Sequence, residues 1–153
     1  MTAVLQRVTS ASVVIDGTVR ASISNGFLIL LGVGENDTDE DAELLTKKIG
    51  VLRVFEDENG KMNLSCPDIG GSALIISNFT LCADCRRGTR PDFFHAMRPE
   101  EAERLYELFI SRLGGYFPVC HGEFGADMKI SLVNDGPVTI VLDSADLKKP
   151  RSK

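Results

Sequence analysis

Few residues in this chain could do acid–base or nucleophilic chemistry. His95 and His121 are its only histidines, and no G-x-S-x-G elbow presents a serine nucleophile. Cys82-Ala83-Asp84-Cys85 is a C-x-x-C pair, and Cys120-His121 could add two further metal ligands. Closed zinc sites usually show two tighter pairs, so these thiols read first as small buried or half-buried side chains. Gly32-Val33-Gly34 lacks the later glycine and lysine of a phosphate loop. Among 22 acidic residues no carboxylate pair stands out. Spacing alone leaves the chemistry open.

Two segments differ from generic fold material. Ser77-Asn78-Phe79-Thr80-Leu81 follows the apolar run Ala73-Leu74-Ile75-Ile76. Small polar groups at the end of such a strand can line a pocket with hydroxyls and backbone N–H groups; the plain alternative is a strand end and a turn. Asn134-Asp135-Gly136-Pro137-Val138-Thr139 joins a residue without Cβ to an imide, for which cis is only about 0.5–1 kcal/mol uphill. Its plain alternative is a hairpin turn.

These segments must be held by the elements around them. Asp16-Gly17, Asn25-Gly26, Asn59-Gly60 and Asp135-Gly136 each sit between β-rich stretches and favour the positive φ of tight hairpins. The stretches are 2–8, 12–15, 18–24, 27–33, 51–56, 72–78, 127–133 and 137–142. One helix is predicted from Thr38, with Asp41 completing a rough capping box and Ala42, Leu45, Ile49 and Leu52 on one stripe. Gly50 can end it early. A second runs from Pro99 to Gly114-Gly115, with Ala102, Leu105, Tyr106, Phe109 and Leu113 on one side. Strands, helix, strands, helix, strands is the order of a single α+β domain with a largely antiparallel sheet.

The 153 residues suffice for one domain with one sizeable core. No apolar run approaches the roughly 18 residues of a membrane helix, and no export signal opens the sequence. The cytoplasm is the expected compartment, with the four cysteines reduced. A net charge of −5 disfavours a protein that coats nucleic acid, and no DNA partner is expected. It leaves room for one that grips the end of an RNA. Arg86, Arg87 and Arg90 cluster in one loop, and Lys148, Lys149, Arg151 and Lys153 in the tail. The domain is expected over 1–147, with 148–153 a basic, disordered tail.

Together the two segments resemble the signature motifs of the D-aminoacyl-tRNA deacylase family, Ser-Gln-x-Thr and Asn-x-Gly-Pro-x-Thr. Here they read Ser77-Asn78-Phe79-Thr80 and Asn134-Asp135-Gly136-Pro137-Val138-Thr139. Gln6-Arg7-Val8, Leu31-Gly32-Val33, Gly60-Lys61-Met62-Asn63-Leu64, Gly88-Thr89-Arg90-Pro91 and Ala126-Asp127-Met128 are similar in type and order, so residues 1–142 are covered.

The resemblance implies a barrel-like sheet with two main helices. It implies an obligate homodimer that hydrolyses the ester at the 3′ end of D-aminoacyl-tRNA, without metal or organic cofactor. It makes Gly136-Pro137 a cis pair inserted into the partner's pocket, where its carbonyls exclude an L side chain and admit D-amino acids and glycine. By the same likeness Arg7 holds that pair, supported by Asn134 and Thr139, and Phe124 and Met128 flank the terminal adenine. Ser77, Asn78, Phe79 and Thr80 become the catalytic segment. A threonine without an adjacent base is a weak nucleophile, so Thr80 and the neighbouring N–H groups are read as positioners and oxyanion donors. One departure stands out: Asn78 replaces the family glutamine and is one methylene shorter. A non-catalytic module that binds charged tRNA or a D-amino acid is therefore the second reading. A thiol or zinc protein built on Cys82, Cys85, Cys120 and His121 is the third.

Overall fold

A computed structural model describes residues 1–150. β1 (Thr2–Ile15) is the spine. It pairs antiparallel with β3 (Gly26–Gly32) through its first half, with β2 (Thr18–Ile23) through its second, and with β8 (Lys129–Asp143) along its other edge. β6 (Ser72–Ser77) lies parallel to β3, and β7 (Val119–His121) parallel to β6. A separate hairpin joins β4 (Arg53–Glu56) and β5 (Met62–Ser65).

Period-2 alternation gives the sheet two apolar faces. Phe27, Ile29, Leu31, Ala73 and Ile75 join Leu5, and α1 (Asp39–Gly50) and α2 (Pro99–Leu113) cover them with Leu45, Ile49, Leu105 and Phe109. Leu28, Leu74 and Ile76 point the other way, into a second cluster with Val8, Ala11, Val13 and Ile15 inside the curled sheet. That two-sided burial is why β3 and β6 read as unbroken apolar runs.

Both predicted helices form. At the start of α1 the N–H and hydroxyl of Thr38 donate to the Asp41 carboxylate at 2.9 and 3.0 Å. Asp41 also receives Lys148 Nζ at 2.9 Å, which ties α1 to the short α3 (Ser144–Leu147). Lys149 pairs with Asp146, while Arg151 and Lys153 of the tail lie outside the described residues.

The strand pattern departs from expectation in identifiable places. Stretches 2–8 and 12–15 are one strand, as are 127–133 and 137–142. Asp135-Gly136 is therefore not a hairpin turn; it sits where β8 bulges against β1 between Gln6 and Ser10. Asn25-Gly26 closes no hairpin either, because β2 and β3 follow each other along the same edge of β1 in one register, from Ala11↔Ile23 to Val8↔Gly26. Asp16-Gly17, both at positive φ, does make a tight turn, and Gly60 at φ +71° turns β4 into β5. The Gly136–Pro137 peptide is cis. No helix is long and apolar enough to cross a membrane among the described residues.

Candidate active site

β6 ends at Ser77, and Asn78 breaks from extended geometry into a 3-10 turn over Phe79–Cys82. The N–H of Asn78 still donates to Leu31 O at 2.8 Å, which fixes the turn against β3. The first N–H groups of such a turn have no partner within it. Among the described residues no backbone carbonyl takes the N–H of Phe79 or Thr80.

Beside this turn lies a cavity of about 450 Å³, within the range of small-molecule sites. Ser77, Asn78 and Phe79 form one wall, and Phe124 and Met128 another. Ala102 and Tyr106 of α2 close it, with the loop residues Ala96 and Met97 at the rim. The lining is mainly apolar. Tyr106 donates its hydroxyl to Ile75 O at 2.9 Å, and its ring lies 5.9 Å from that of Phe124. Burial raises its phenol above the ordinary tyrosine range, so it stays neutral.

Thr80 is exposed at the edge of the wall, and its hydroxyl donates to Asn78 Oδ1 at 2.5 Å. An amide oxygen can orient a hydroxyl but cannot take its proton, so this contact positions Thr80 without activating it. His95 and His121 do not line the cavity. His95 Nδ1 lies 2.7 Å from Glu35 Oε1, and His121 Nδ1 lies 2.7 Å from Gly122 O.

The second motif forms its own cluster. Arg7 is only 4% exposed. It donates from Nε to Asp135 O at 2.8 Å and from Nη1 to Val54 O at 2.7 Å. The carboxylates of Asp135 and Glu56 lie 3.4 and 3.6 Å from its guanidinium. On the far side of the bulge Asn134 Oδ1 accepts from Val138 N at 2.9 Å, and its Nδ2 donates to Val138 O and Thr139 Oγ1. Gly136 and Pro137 are thus held from both flanks, exposed, and outside the lining of the cavity described above.

Ser77, Asn78, Phe79, Phe124 and Met128 therefore meet at one cavity with Thr80 on its edge. Arg7, Asn134, Gly136, Pro137 and Thr139 meet elsewhere. Cys82 and Cys120 each approach a different backbone carbonyl, Val33 O and Ser22 O. No three potential ligands that include them come together among the described residues. The contribution of α2 was not legible as pocket. Ala102 and Tyr106 follow the stripe of a core helix, and the signal that sets Tyr106 apart is a buried hydroxyl needing a partner.

Residues 4–143 match the family model described as D-Tyr-tRNA(Tyr) deacylase. A protein of Chloroflexus aurantiacus named D-aminoacyl-tRNA deacylase is 55% identical over 152 residues, 99% of this chain and 95% of that one. A namesake from a Sulfurihydrogenibium species is 54% identical over 147 residues, 96% of this chain and 100% of its own. A solved structure described as c-Myc DNA Unwinding Element Binding Protein superposes with a TM-score of 0.88 at 44% identity, covering 94% of this chain and 98% of that one. Another, described as a probable eukaryotic D-amino acid tRNA deacylase, shares the fold at TM-score 0.76 and 16% identity, with 94% and 100% covered.

Proposed function

The chain belongs to the D-Tyr-tRNA(Tyr) deacylase family, and from that membership we propose that it hydrolyses the ester between a D-amino acid and the 3′ end of tRNA. The observation that carries this reading is the cavity beside the Ser77–Thr80 turn. It is apolar enough for a nucleoside base, and one wall has backbone N–H groups left over to meet a developing oxyanion. Ser77, Asn78 and the N–H groups of Phe79 and Thr80 bind the ester carbonyl. Phe124 and Met128 flank the terminal adenine. With no histidine on the lining, water is activated by the hydroxyl next to the ester on the tRNA's own ribose.

Stereochemical choice is assigned to Gly136 and Pro137 acting on a second copy of the chain. Their carbonyls belong to an exposed segment clamped by Arg7 and Asn134, so they form a fixed wall rather than an adaptable one. Such a wall leaves no space for an L side chain and none is needed by glycine, so glycyl-tRNA passes with the D-esters. A homodimer is supported by β8, which pairs only with β1 and leaves its other edge unpaired among the described residues. That strand also exposes Val133 and Val141, the latter at 65%. The proposed compartment is the cytoplasm, where charged tRNA is used.

The test is deacylation of D-tyrosyl-tRNA and L-tyrosyl-tRNA side by side, without added metal. Loss of the D ester with the L ester spared is the expected result. One observation favours the second reading, a binding module: the Asn78 amide oxygen is already engaged by Thr80. If neither ester is cleaved faster than in buffer while tRNA still binds, that reading replaces the first.

A further inference from the structure

Beyond the cavity, one surface combines positive charge with an exposed aromatic ring. Mutual backbone hydrogen bonds between Asp84 and Asp92, at 2.7 and 2.9 Å, close a loop that carries Arg86, Arg87 and Arg90. Arg86 is engaged by Asp84, from Nε to both carboxylate oxygens at 2.9 Å and from Nη2 at 2.5 Å. Arg87 and Arg90 are exposed and have no ion pair among the described residues, and the same holds for Arg98 at the start of α2. Between them Phe94 is 78% exposed, the highest value for any large apolar side chain described. In a chain of net charge −5 this is a local reversal of sign.

The surface adjoins the cavity mouth. Phe93 lies edge-on to Phe79 of the cavity wall, with ring centroids 5.0 Å apart. Ala96, Met97 and Pro99, which interleave with Phe94 and Arg98 in sequence, line the same cavity. Arg90 is three residues from Phe93, so its Cα is at most about 11 Å from that of Phe93. Arginines alternating with an exposed aromatic are what a single-stranded nucleic acid requires: cations along the phosphates and a face on which a base stacks.

We propose that Arg87, Arg90 and Arg98, with Phe94, form the docking surface for the single-stranded 3′ end of an RNA whose aminoacylated terminus enters the cavity. The arginines contact phosphates, and Phe94 stacks on a base upstream of the terminal nucleoside. This rests on the deacylase reading for the identity of the RNA and deepens it by naming what holds the substrate outside the pocket.

The experiment compares wild type with Arg87→Ser/Arg90→Ser and with Phe94→Ala. Binding of uncharged tRNA is measured by fluorescence anisotropy across a salt series. Turnover is measured on D-tyrosyl-tRNA and on the 3′-D-tyrosyl ester of adenosine, which has no phosphate. For the arginine pair the log–log salt dependence of tRNA binding flattens by about 1.4. Phe94→Ala weakens binding roughly five- to a hundredfold. Both lose turnover on the tRNA ester and keep it on the adenosine ester. Unchanged binding and salt slope overturn the proposal, as does an equal loss on both esters. Stronger binding to a DNA duplex than to tRNA, or dissociation of an oligomer by Phe94→Ala, overturns it too. If the wild type cleaves neither ester, the deacylase reading fails, while the binding series still decides the surface.

Discussion

Replacing Arg7 separates stability from stereochemical choice. Its guanidinium donates to Asp135 O on the second motif and to Val54 O on β4; the bond to Val54 is buried and the bond to Asp135 half-buried. A hydrogen bond involving a charged group contributes about 1.5–3 kcal/mol, so Arg7→Met loses about 4 kcal/mol, with its stem packing retained. Glu56, 56% exposed at 3.6 Å, adds little to that figure. Arg7→Lys keeps one bond and loses about 2 kcal/mol. At a urea dependence of about 2 kcal/mol per molar, the midpoints fall by about 2 M and 1 M. They should be read at several protein concentrations, since dimerisation would couple stability to concentration. Under the proposed filter, Arg7→Lys also lets the Asp135–Pro137 backbone shift. Discrimination between D- and L-tyrosyl-tRNA then falls on the order of ten- to a hundredfold, chiefly through faster cleavage of the L ester. A lysine variant with the lowered midpoint and undiminished discrimination would leave Arg7 as an anchor of the fold alone, with no part in stereochemical choice.

Other consequences can be checked directly. Thr80→Ala removes one hydroxyl whose proton already faces Asn78, so kcat/KM on the D ester falls only about two- to twelvefold; total loss with an intact fold would make Thr80 the nucleophile. A Cβ at Gly122 would stand 2.4 Å from Met128 Sδ, so Gly122→Ala displaces Met128 from the cavity wall. Steady-state kinetics should show KM raised several-fold with kcat kept, and unfolding a loss of about 1 kcal/mol. Burial alone would raise the Asp41 carboxyl, but hydrogen bonds from Ser144, Lys148 and Thr38 outweigh it and hold the carboxyl well below its ordinary 3.8. Its contribution is therefore complete above about pH 4 and fades as pH falls below that. Urea unfolding should find Asp41→Asn about 1–2 kcal/mol less stable at pH 7, with the gap narrowing by pH 3.

Local chemistry was legible in the sequence where it acts locally. Thr38 and Asp41 cap α1, Pro99 opens α2, and Asp16-Gly17 turns β1 into β2 because the chain there answers to its own neighbours. Asn25-Gly26 and Asp135-Gly136 carry the same turn chemistry but are overruled by pairing between distant segments: β2 and β3 both run along one edge of β1, and β8 runs along the other through the bulge. β5 and β7 escape the alternation signal because they are only 4 and 3 residues long. The Ser77 segment was conspicuous because small polar residues follow an apolar strand. The α2 wall was not, since a residue facing an apolar cavity obeys the same periodicity as one facing a core.

The spine strand also governs where this protein can change length. β1 is registered at once against β2, β3 and β8. Removing one residue before Arg7 would turn every earlier side chain to the opposite face, or else swing Arg7 away from Asp135 and Val54. Gly60 is the opposite case: it turns an isolated hairpin, and added atoms there meet nothing within 4 Å. A reporter peptide grafted between Asn59 and Gly60 should be carried silently, whereas a deletion library across residues 3–7 should return almost no folded members.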